Sequence, residues 1–267
     1  MRYVLYHGNC FDGFGAAWAA WRALGDRATY LPVLYGQEPP ALPEDATVAI
    51  VDFSYQRETL LKMRGSVASL EVLDHHKSAE ADLEGLDFCA FDMEKSGAML
   101  AWEWWHPHEP PPSLICYLQD RDLWHFRLPG SRKVSAWIQS YPFKFNVWSE
   151  LAARLDADSS TVGIEGQAIL RFKNQQVEIM CNNAVIREVG GHMVPVANAT
   201  CFFSEVGERL CQLHPKAPFA GYYLDRGDGT RQWGLRSRGD FDVSEVAKLY
   251  GGGGHPAAAG FTEEVIT

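Results

Sequence analysis

Four short clusters in this chain hold residue types that bind metal ions and carry protons. They are His7-Gly8-Asn9-Cys10-Phe11-Asp12-Gly13, Val51-Asp52, Asp74-His75-His76 and Asp120-Arg121-Asp122. Together they offer imidazole nitrogens and carboxylate oxygens. That donor mix suits Mn²⁺ and related divalent ions. A carboxylate can also bridge two ions, the arrangement used in two-metal hydrolysis. Taken singly the signals are weak, because an Asp at a strand end serves as readily as a helix cap. The His75-His76 pair says more. Two adjacent imidazoles after an apolar strand are a poor choice for structure alone.

The elements that must gather these residues are legible in outline. Tyr3-Val4-Leu5-Tyr6 reads as a buried strand ending at His7, before a Gly-rich turn. Phe14, Ala17, Trp18 and Trp21 recur at helical spacing, with Gly25 as a cap. Further strands are expected at Tyr30 to Tyr35, at Val48 to Val51 before Asp52, at Ser69 to Leu73 before Asp74, and at Leu86 to Phe91. Strands interleaved with helices imply a mostly parallel sheet covered on both faces. In such sheets ligands bind beyond the carboxyl ends of the strands. His7, Asp52 and Asp74 all stand at such ends, so residues distant in sequence can meet in one crevice.

A helix is expected from Ser113 through Leu118, leading to Asp120. The stretch from about Trp148 to Glu188 is mostly helical, with Leu151, Leu155, Ile164, Leu170, Phe172 and Ile179 as core candidates. The remainder reads as a small α+β unit. Gly190-Gly191 turns a hairpin between Val185 to Val189 and Met193 to Val196. Asp228-Gly229 turns another between Phe219 to Leu224 and Gln232 to Leu235. Val243 to Tyr250 forms a short helix running into Gly251-Gly252-Gly253-Gly254-His255. The expected division is residues 1–147 for the first domain, 148–186 for a helical linker and 187–267 for the second domain.

Composition excludes several classes. The chain has 267 residues, 46% of them hydrophobic, which excludes wholesale disorder. No stretch is long and apolar enough for a membrane helix, and no secretory signal is visible at the start. The formal charge of −10 argues against a long nucleic-acid duplex as partner. Six cysteines without a CxxC pair read as reduced, buried thiols, and a cytoplasmic location is expected.

Two motifs carry a family resemblance. Asp74-His75-His76 resembles the signature of the DHH phosphoesterases. Gly251 to His255, followed by Pro256-Ala257-Ala258-Ala259-Gly260, resembles the GGGH motif of the associated DHHA1 domain. Leu235-Arg236-Ser237 is similar to that domain's arginine-bearing strand. The motifs stand in the family's order, and the likeness covers nearly the whole chain. The layout resembles the compact nanoRNase and phosphoadenosine-phosphatase branch. The implied fold is α/β: an N-terminal, mostly parallel sheet with helices on both faces (DHH), plus a smaller α+β domain (DHHA1), with the active site in a cleft between them.

The resemblance also implies roles. Asp52 would bridge two metal ions, expected to be Mn²⁺, with Mg²⁺, Zn²⁺, Co²⁺ or Fe²⁺ as alternatives. Asp12, His75 and Asp120 would complete the second ion's ligands, and His7 would serve the first. Asp74 would lie behind the metals and orient a ligand, while His76 faces the scissile phosphate. Arg236 and His255, with the backbone of Gly252, Gly253 and Gly254, would grip the substrate's phosphate. A metal-bound hydroxide would be the nucleophile. The implied reaction is hydrolysis of very short oligonucleotides, such as 5′-phosphorylated dinucleotides, to mononucleotides. Alternatives are a phosphomonoesterase, a pyrophosphate or polyphosphate hydrolase, and a non-catalytic nucleotide-binding protein. A monomer and a homodimer are both compatible with the sequence.

One position departs from the family pattern. An Asp-x-Asp pair is usual in the first cluster, and its first member aligns with Cys10. Three readings stay open: Cys10 is a metal ligand, it is a bystander beside a weakly held ion, or Asn9 or a water substitutes. A thiolate would shift preference toward Zn²⁺. Asp122 is either a supporting partner of the metal site or a helix cap. Ser96 and Gly97 are candidates for a turn lining the site. Trp102, Trp104 and Trp105 are expected in the core rather than as a stacking platform. His106, His108, His125, His192 and His214 are expected as ordinary surface or core histidines.

Overall fold

In the computed structural model, which describes residues 1–265, the chain divides into two compact units, Met1–Leu170 and Arg171–Thr267. The first is built on β1 (Arg2–His7), α1 (Phe11–Leu24), β2 (Ala28–Val33), β3 (Thr47–Val51), α2 (Arg57–Ser66), β4 (Ser69–Asp74), α3 (Lys77–Asp82) and β5 (Cys89–Phe91). Then come α4 (Gly97–Trp105), α5 (Ser113–Asp122), α6 (Ser131–Ile138), α7 (Phe145–Ala157) and the long α8 (Ser159–Asn182), within which the units divide.

The first sheet is wholly parallel in the order β2-β1-β3-β4-β5. Its strands are nearly continuous apolar runs because both faces are covered. On one face Val4, Val51 and Leu73 pack with α1, α4, α5 and α7 through Trp18, Trp102, Leu118 and Trp148. On the other, Leu5, Ile50 and Val72 pack with Leu60 and Met63 of α2. The chain leaves β1 toward β2 on one side and returns to β3 on the other. The order of strands therefore reverses between β1 and β3, and ligands bind at such reversals.

The second unit contains β6 (Val185–Val189), β7 (His192–Asn198), α9 (Phe203–Leu213), β8 (Phe219–Asp225), β9 (Thr230–Ser237), α10 (Val243–Lys248), β10 (Gly253–His255) and β11 (Ala258–Glu264). Its mixed sheet runs β10-β11-β9-β8-β7-β6, with only β7 and β8 parallel. One face packs on α10 through Leu235, Val243 and Val246. The other packs on α9 and the end of α8 through Ala220, Val206, Leu210 and Val177.

Several side chains lie elsewhere than the sequence implies. Leu151 and Leu155 are buried, but Ile164, Phe172 and Ile179 of α8 are 75%, 59% and 56% exposed. Their spacing puts them on the outward face of a helix whose inward face is held by Val162, Val177 and Cys181. Trp102 is in the core, whereas Trp104 is half exposed. The cysteines are free thiols, with Cys181 and Cys211 buried and Cys201 exposed. The glycine run is not all loop: Gly253 to His255 form an edge strand paired with β11. Among the described residues no helix is long and apolar enough to cross a membrane.

Candidate active site

His7 closes β1, Asp52 follows β3, and Asp74 closes β4 with His75 and His76 just beyond it. Since β1, β3 and β4 are adjacent and parallel, the three strand ends form one edge at the reversal point. Asp52 has φ of 59°, the left-handed region. An Asp tolerates it, at a cost of about 1–2 kcal/mol. Its amide still donates to Leu73 O at 2.9 Å, so the strand pairing continues while the side chain is re-aimed.

The result is a compact charged cluster. His75 Nε2 lies 3.1 Å from Asp52 Oδ1, 3.6 Å from Asp122 Oδ2 and 3.9 Å from Asp12 Oδ2. His7 Nδ1 lies 3.4 Å from Asp52 Oδ2. Two sets of donors lie wholly within this unit, His7, Cys10 and Asp52 in one and Asp12, His75 and Asp122 in the other. Within each set the donor atoms lie within 4.8 Å of one another. Gly97, at the start of α4, permits this packing. A Cβ there would fall 2.4 Å from Asp52 Cβ. Gly13 serves likewise, for its Cβ would meet His7 O at 2.2 Å.

The electrostatics are those of a site short of positive charge. Burial, then the nearby Asp122 and Asp52 carboxylates, push the Asp12 carboxyl well up. Burial also raises Asp122. Burial opposes the charge of Asp52 too, but His7 and His75 outweigh it and hold that carboxyl far below the usual range. Burial would lower His75, yet Asp52, Asp122 and Asp12 together push it up to about 10. Asp52 Oδ2 and His7 Nδ1 are buried and make no hydrogen bond. Unbonded buried donors among crowded carboxylates fit a divalent cation, and the oxygen and nitrogen set suits Mn²⁺ or Mg²⁺.

Asp74 occupies a different place. It is fully buried and accepts hydrogen bonds from Ser54 Oγ at 2.5 Å and from His75 N at 2.7 Å. Its Oδ1 lies 2.6 Å from His76 Nδ1. Burial opposes its ionisation, but His76 and Ser54 prevail and lower its carboxyl. An ionised Asp74 fixes the His76 tautomer with the proton on Nδ1 and Nε2 turned outward. Tyr35, which the sequence does not single out, places its hydroxyl 3.4 Å from that Nε2.

Asp120 requires a correction. It is not brought to the cluster. Its carboxylate accepts from Arg127 N at 2.9 Å and Leu128 N at 3.1 Å, and its carbonyl accepts from the amides of His125 and Phe126. It clasps a loop in which Trp124 and Phe126 hold positive φ. Asp122 takes the place beside His75. The two are two residues apart on α5, so they face opposite sides of the helix. The sequence offers both carboxylates, and only the packing of α5 chooses.

In the second unit, Arg236, Ala258 and His255 fall in one row across β9, β11 and β10. Paired residues point to the same face, and the small Ala258 separates the two larger side chains. Gly207 of α9 lies over this row, where its Cβ would come 2.8 Å from Arg236 Cβ. Two of the glycines have structural reasons: a Cβ on Gly252 would meet Gly260 O at 2.1 Å, and Gly254 has φ of 140°.

No family model matches the chain. An uncharacterized protein of Acanthamoeba polyphaga mimivirus is 30% identical over 284 residues, covering 96% of this chain. Oligoribonuclease NrnB of Bacillus subtilis is 32% identical over 113 residues, 41% of this chain. The chain spans 66% and 27% of the lengths of these two relatives. Among solved structures, an exopolyphosphatase-related protein of Bacteroides fragilis superposes with a TM-score of 0.55 at 13% identity. It covers all of this chain and 87% of its own. The pGpG-specific phosphodiesterase PggH of Vibrio cholerae gives 0.52 at 12% identity, covering 99% and 93%. RecJ of Thermus thermophilus, solved with Mn²⁺, gives 0.53 at 16%, covering 98% and 49%. The chain shares the two-domain α/β fold of these structures. Asp74-His75-His76 stands at the end of β4 in the first unit, and Gly253 to His255 build the edge strand of the second.

Proposed function

We propose that this DHH/DHHA1 chain is a metal-dependent phosphodiesterase that hydrolyses very short oligonucleotides, such as 5′-phosphorylated dinucleotides, to mononucleotides. One observation carries the reading: Asp12, Asp52 and Asp122 crowd around His75 at the strand-order reversal, with Asp52 Oδ2 unbonded. The relationship to NrnB supports an oligonucleotide as substrate. The acidic chain supports a short one, because long strands call for a basic track.

His7, Asp12, Asp52, His75 and Asp122 would hold divalent ions, with Mn²⁺ as the proposed metal and two as the proposed number. Ions held there would acidify a bound water and neutralise charge developing on the phosphoryl oxygens. The protein's own groups do the rest. Asp74 keeps the His76 ring oriented by the 2.6 Å contact at Nδ1. His76 Nε2 is then the atom that, once it has taken a proton from solvent, would pass it toward the leaving oxygen or steady the transferring phosphoryl group. Burial of Asp52 and His75 excludes bulk water and strengthens these interactions. Arg236 and His255 supply donors for the substrate's phosphate, with the backbone of Gly252, Gly253 and Gly254.

The test is hydrolysis of a 5′-phosphorylated RNA dinucleotide with Mn²⁺, with Asp74→Ala beside it. Mononucleotides released by the wild type and not by the variant support the reading. Turnover of pyrophosphate or a nucleoside monophosphate with the dinucleotide untouched overturns it in favour of the other phosphoester hydrolases. Binding without any turnover overturns it in favour of a nucleotide-binding protein.

A further inference from the structure

The two donor sets differ by one atom type. Asp12, His75 and Asp122 offer oxygen and nitrogen alone, whereas His7, Cys10 and Asp52 add a sulfur. The surroundings of Cys10 are not those of a core thiol. Its Sγ lies within 4.8 Å of ligand atoms of His7 and Asp52. Asp52 is 1% exposed, and its Oδ2 turns toward His7 Nδ1 with no hydrogen bond on either atom. That unbonded oxygen aims into the sulfur-bearing set, while Oδ1 of the same carboxylate faces His75 of the other set.

We propose that Cys10 ligates a cation through its sulfur together with His7 and Asp52, making a site that prefers Zn²⁺ or Fe²⁺, beside a harder site for Mn²⁺ or Mg²⁺. The inference rests on reading the cluster as a divalent-metal centre. Thiolate selects borderline-soft ions, whereas carboxylate with imidazole accommodates Mn²⁺. Binding breaks the S–H bond, forms the metal–sulfur bond and releases that proton to solvent. The centre then holds two unlike ions, with Asp52 contributing one oxygen toward each set. Replacing sulfur by oxygen would make the sets alike and remove the discrimination.

The experiment reads sulfur ligation without substrate. The whole chain, stripped by chelation, is titrated with Co²⁺, a spectroscopic stand-in for Zn²⁺. In the wild type a sulfur-to-cobalt charge-transfer band in the near ultraviolet grows with the first equivalent and not with the second. Zn²⁺ abolishes it, and Mn²⁺ at the same concentration does not. Cys10→Ser and Cys10→Asp lose the band, while Cys201→Ser, which removes the exposed cysteine, keeps it. Circular dichroism of each stripped variant checks its fold. Should the Cys10 variants fail to fold, protection of Cys10 from alkylation by Zn²⁺, read by peptide mass, replaces them. Cobalt bound without the band, a band that survives Cys10→Ser, equal displacement by Mn²⁺, or no protection by Zn²⁺ overturns the proposal. A band in a protein that cleaves no dinucleotide overturns the hydrolase reading alone. Turnover with Mn²⁺ and no band overturns this inference alone.

Discussion

The two sheets deploy polar chemistry in opposite ways. In the first unit every strand is parallel and covered on both faces, so the charged side chains of the site gather where the strands stop. His7, Asp52 and Asp74 crowd there, the two carboxylates buried and held ionised against that burial by neighbouring histidines. The backbone shares the strain: Asn9, Asp52, Trp124 and Phe126 all hold positive φ without being glycine. The second unit places Arg236 on β9 and His255 on the edge strand β10, in a row across the sheet on either side of Ala258. Beside that row the unusual φ falls on Gly254, while Phe202, ahead of α9, also holds positive φ. A parallel sheet thus concentrates function at an edge and pays in strain and burial. A mixed sheet distributes it across a face, where alternation of side chains does the positioning.

The sharpest test of this contrast is Asp52→Asn. It removes charge from the crowded edge, and activity should fall about 10²- to 10³-fold. Metal content by mass spectrometry should fall with it. Retained metal and retained turnover would break the comparison at its centre. Arg236→Ala should act differently. Losing a charged donor costs about 1.5–3 kcal/mol, expressed as weaker substrate binding with metal content unchanged. Steady-state kinetics on the dinucleotide would show it in KM more than in kcat.

A third test separates two carboxylates on one helix. Asp120→Ala leaves the amides of Arg127 and Leu128 without their acceptor, so thermal unfolding should report a loss of about 1–3 kcal/mol. Its metal content should hold. Asp122→Asn should do the reverse, lowering metal affinity while leaving the metal-free fold as stable or more so, since one repelling carboxylate is gone. If Asp120→Ala loses metal without losing stability, the assignment of the two is wrong. The smallest effects compare glycines. Gly97→Ala forces a Cβ against Asp52 and should cost about 1–3 kcal/mol together with activity. Gly163→Ala, in α8 with nothing within 4 Å of the new Cβ, should gain about 0.5–1 kcal/mol and leave kinetics alone.

Much of the first sheet was legible because its strands are apolar runs that stop at a charged residue. Val48 to Val51 stops at Asp52, and Ser69 to Leu73 stops at Asp74. The hairpins at Gly190-Gly191 and Asp228-Gly229 were legible for a similar reason, since their turn residues are rare elsewhere. The long helix was less so. Ile164, Phe172 and Ile179 read as core by residue type, yet the buried stripe of α8 runs through Val162, Val177 and Cys181. Periodicity allows either stripe, and hydrophobicity alone does not say which face meets a neighbour. Tyr35 carried no signal either, for a tyrosine in a loop after a strand is ordinary until His76 is found beside its hydroxyl.

The sequence by itself determined the parallel order of chemistry along the first unit, because apolar runs must be buried and polar residues fall at their ends. It determined the DHH and GGGH motifs and the presence of a cysteine where oxygen is expected. Tertiary structure alone decided which carboxylate of α5 meets His75, because residues two apart on a helix face opposite ways and only packing selects between them. It alone decided that Gly97 must lack a Cβ, since Asp52 reaches the start of α4 from the end of β3. It alone set Cys10 with His7 and Asp52, because proximity between the end of β3 and the start of α1 is a property of the folded sheet.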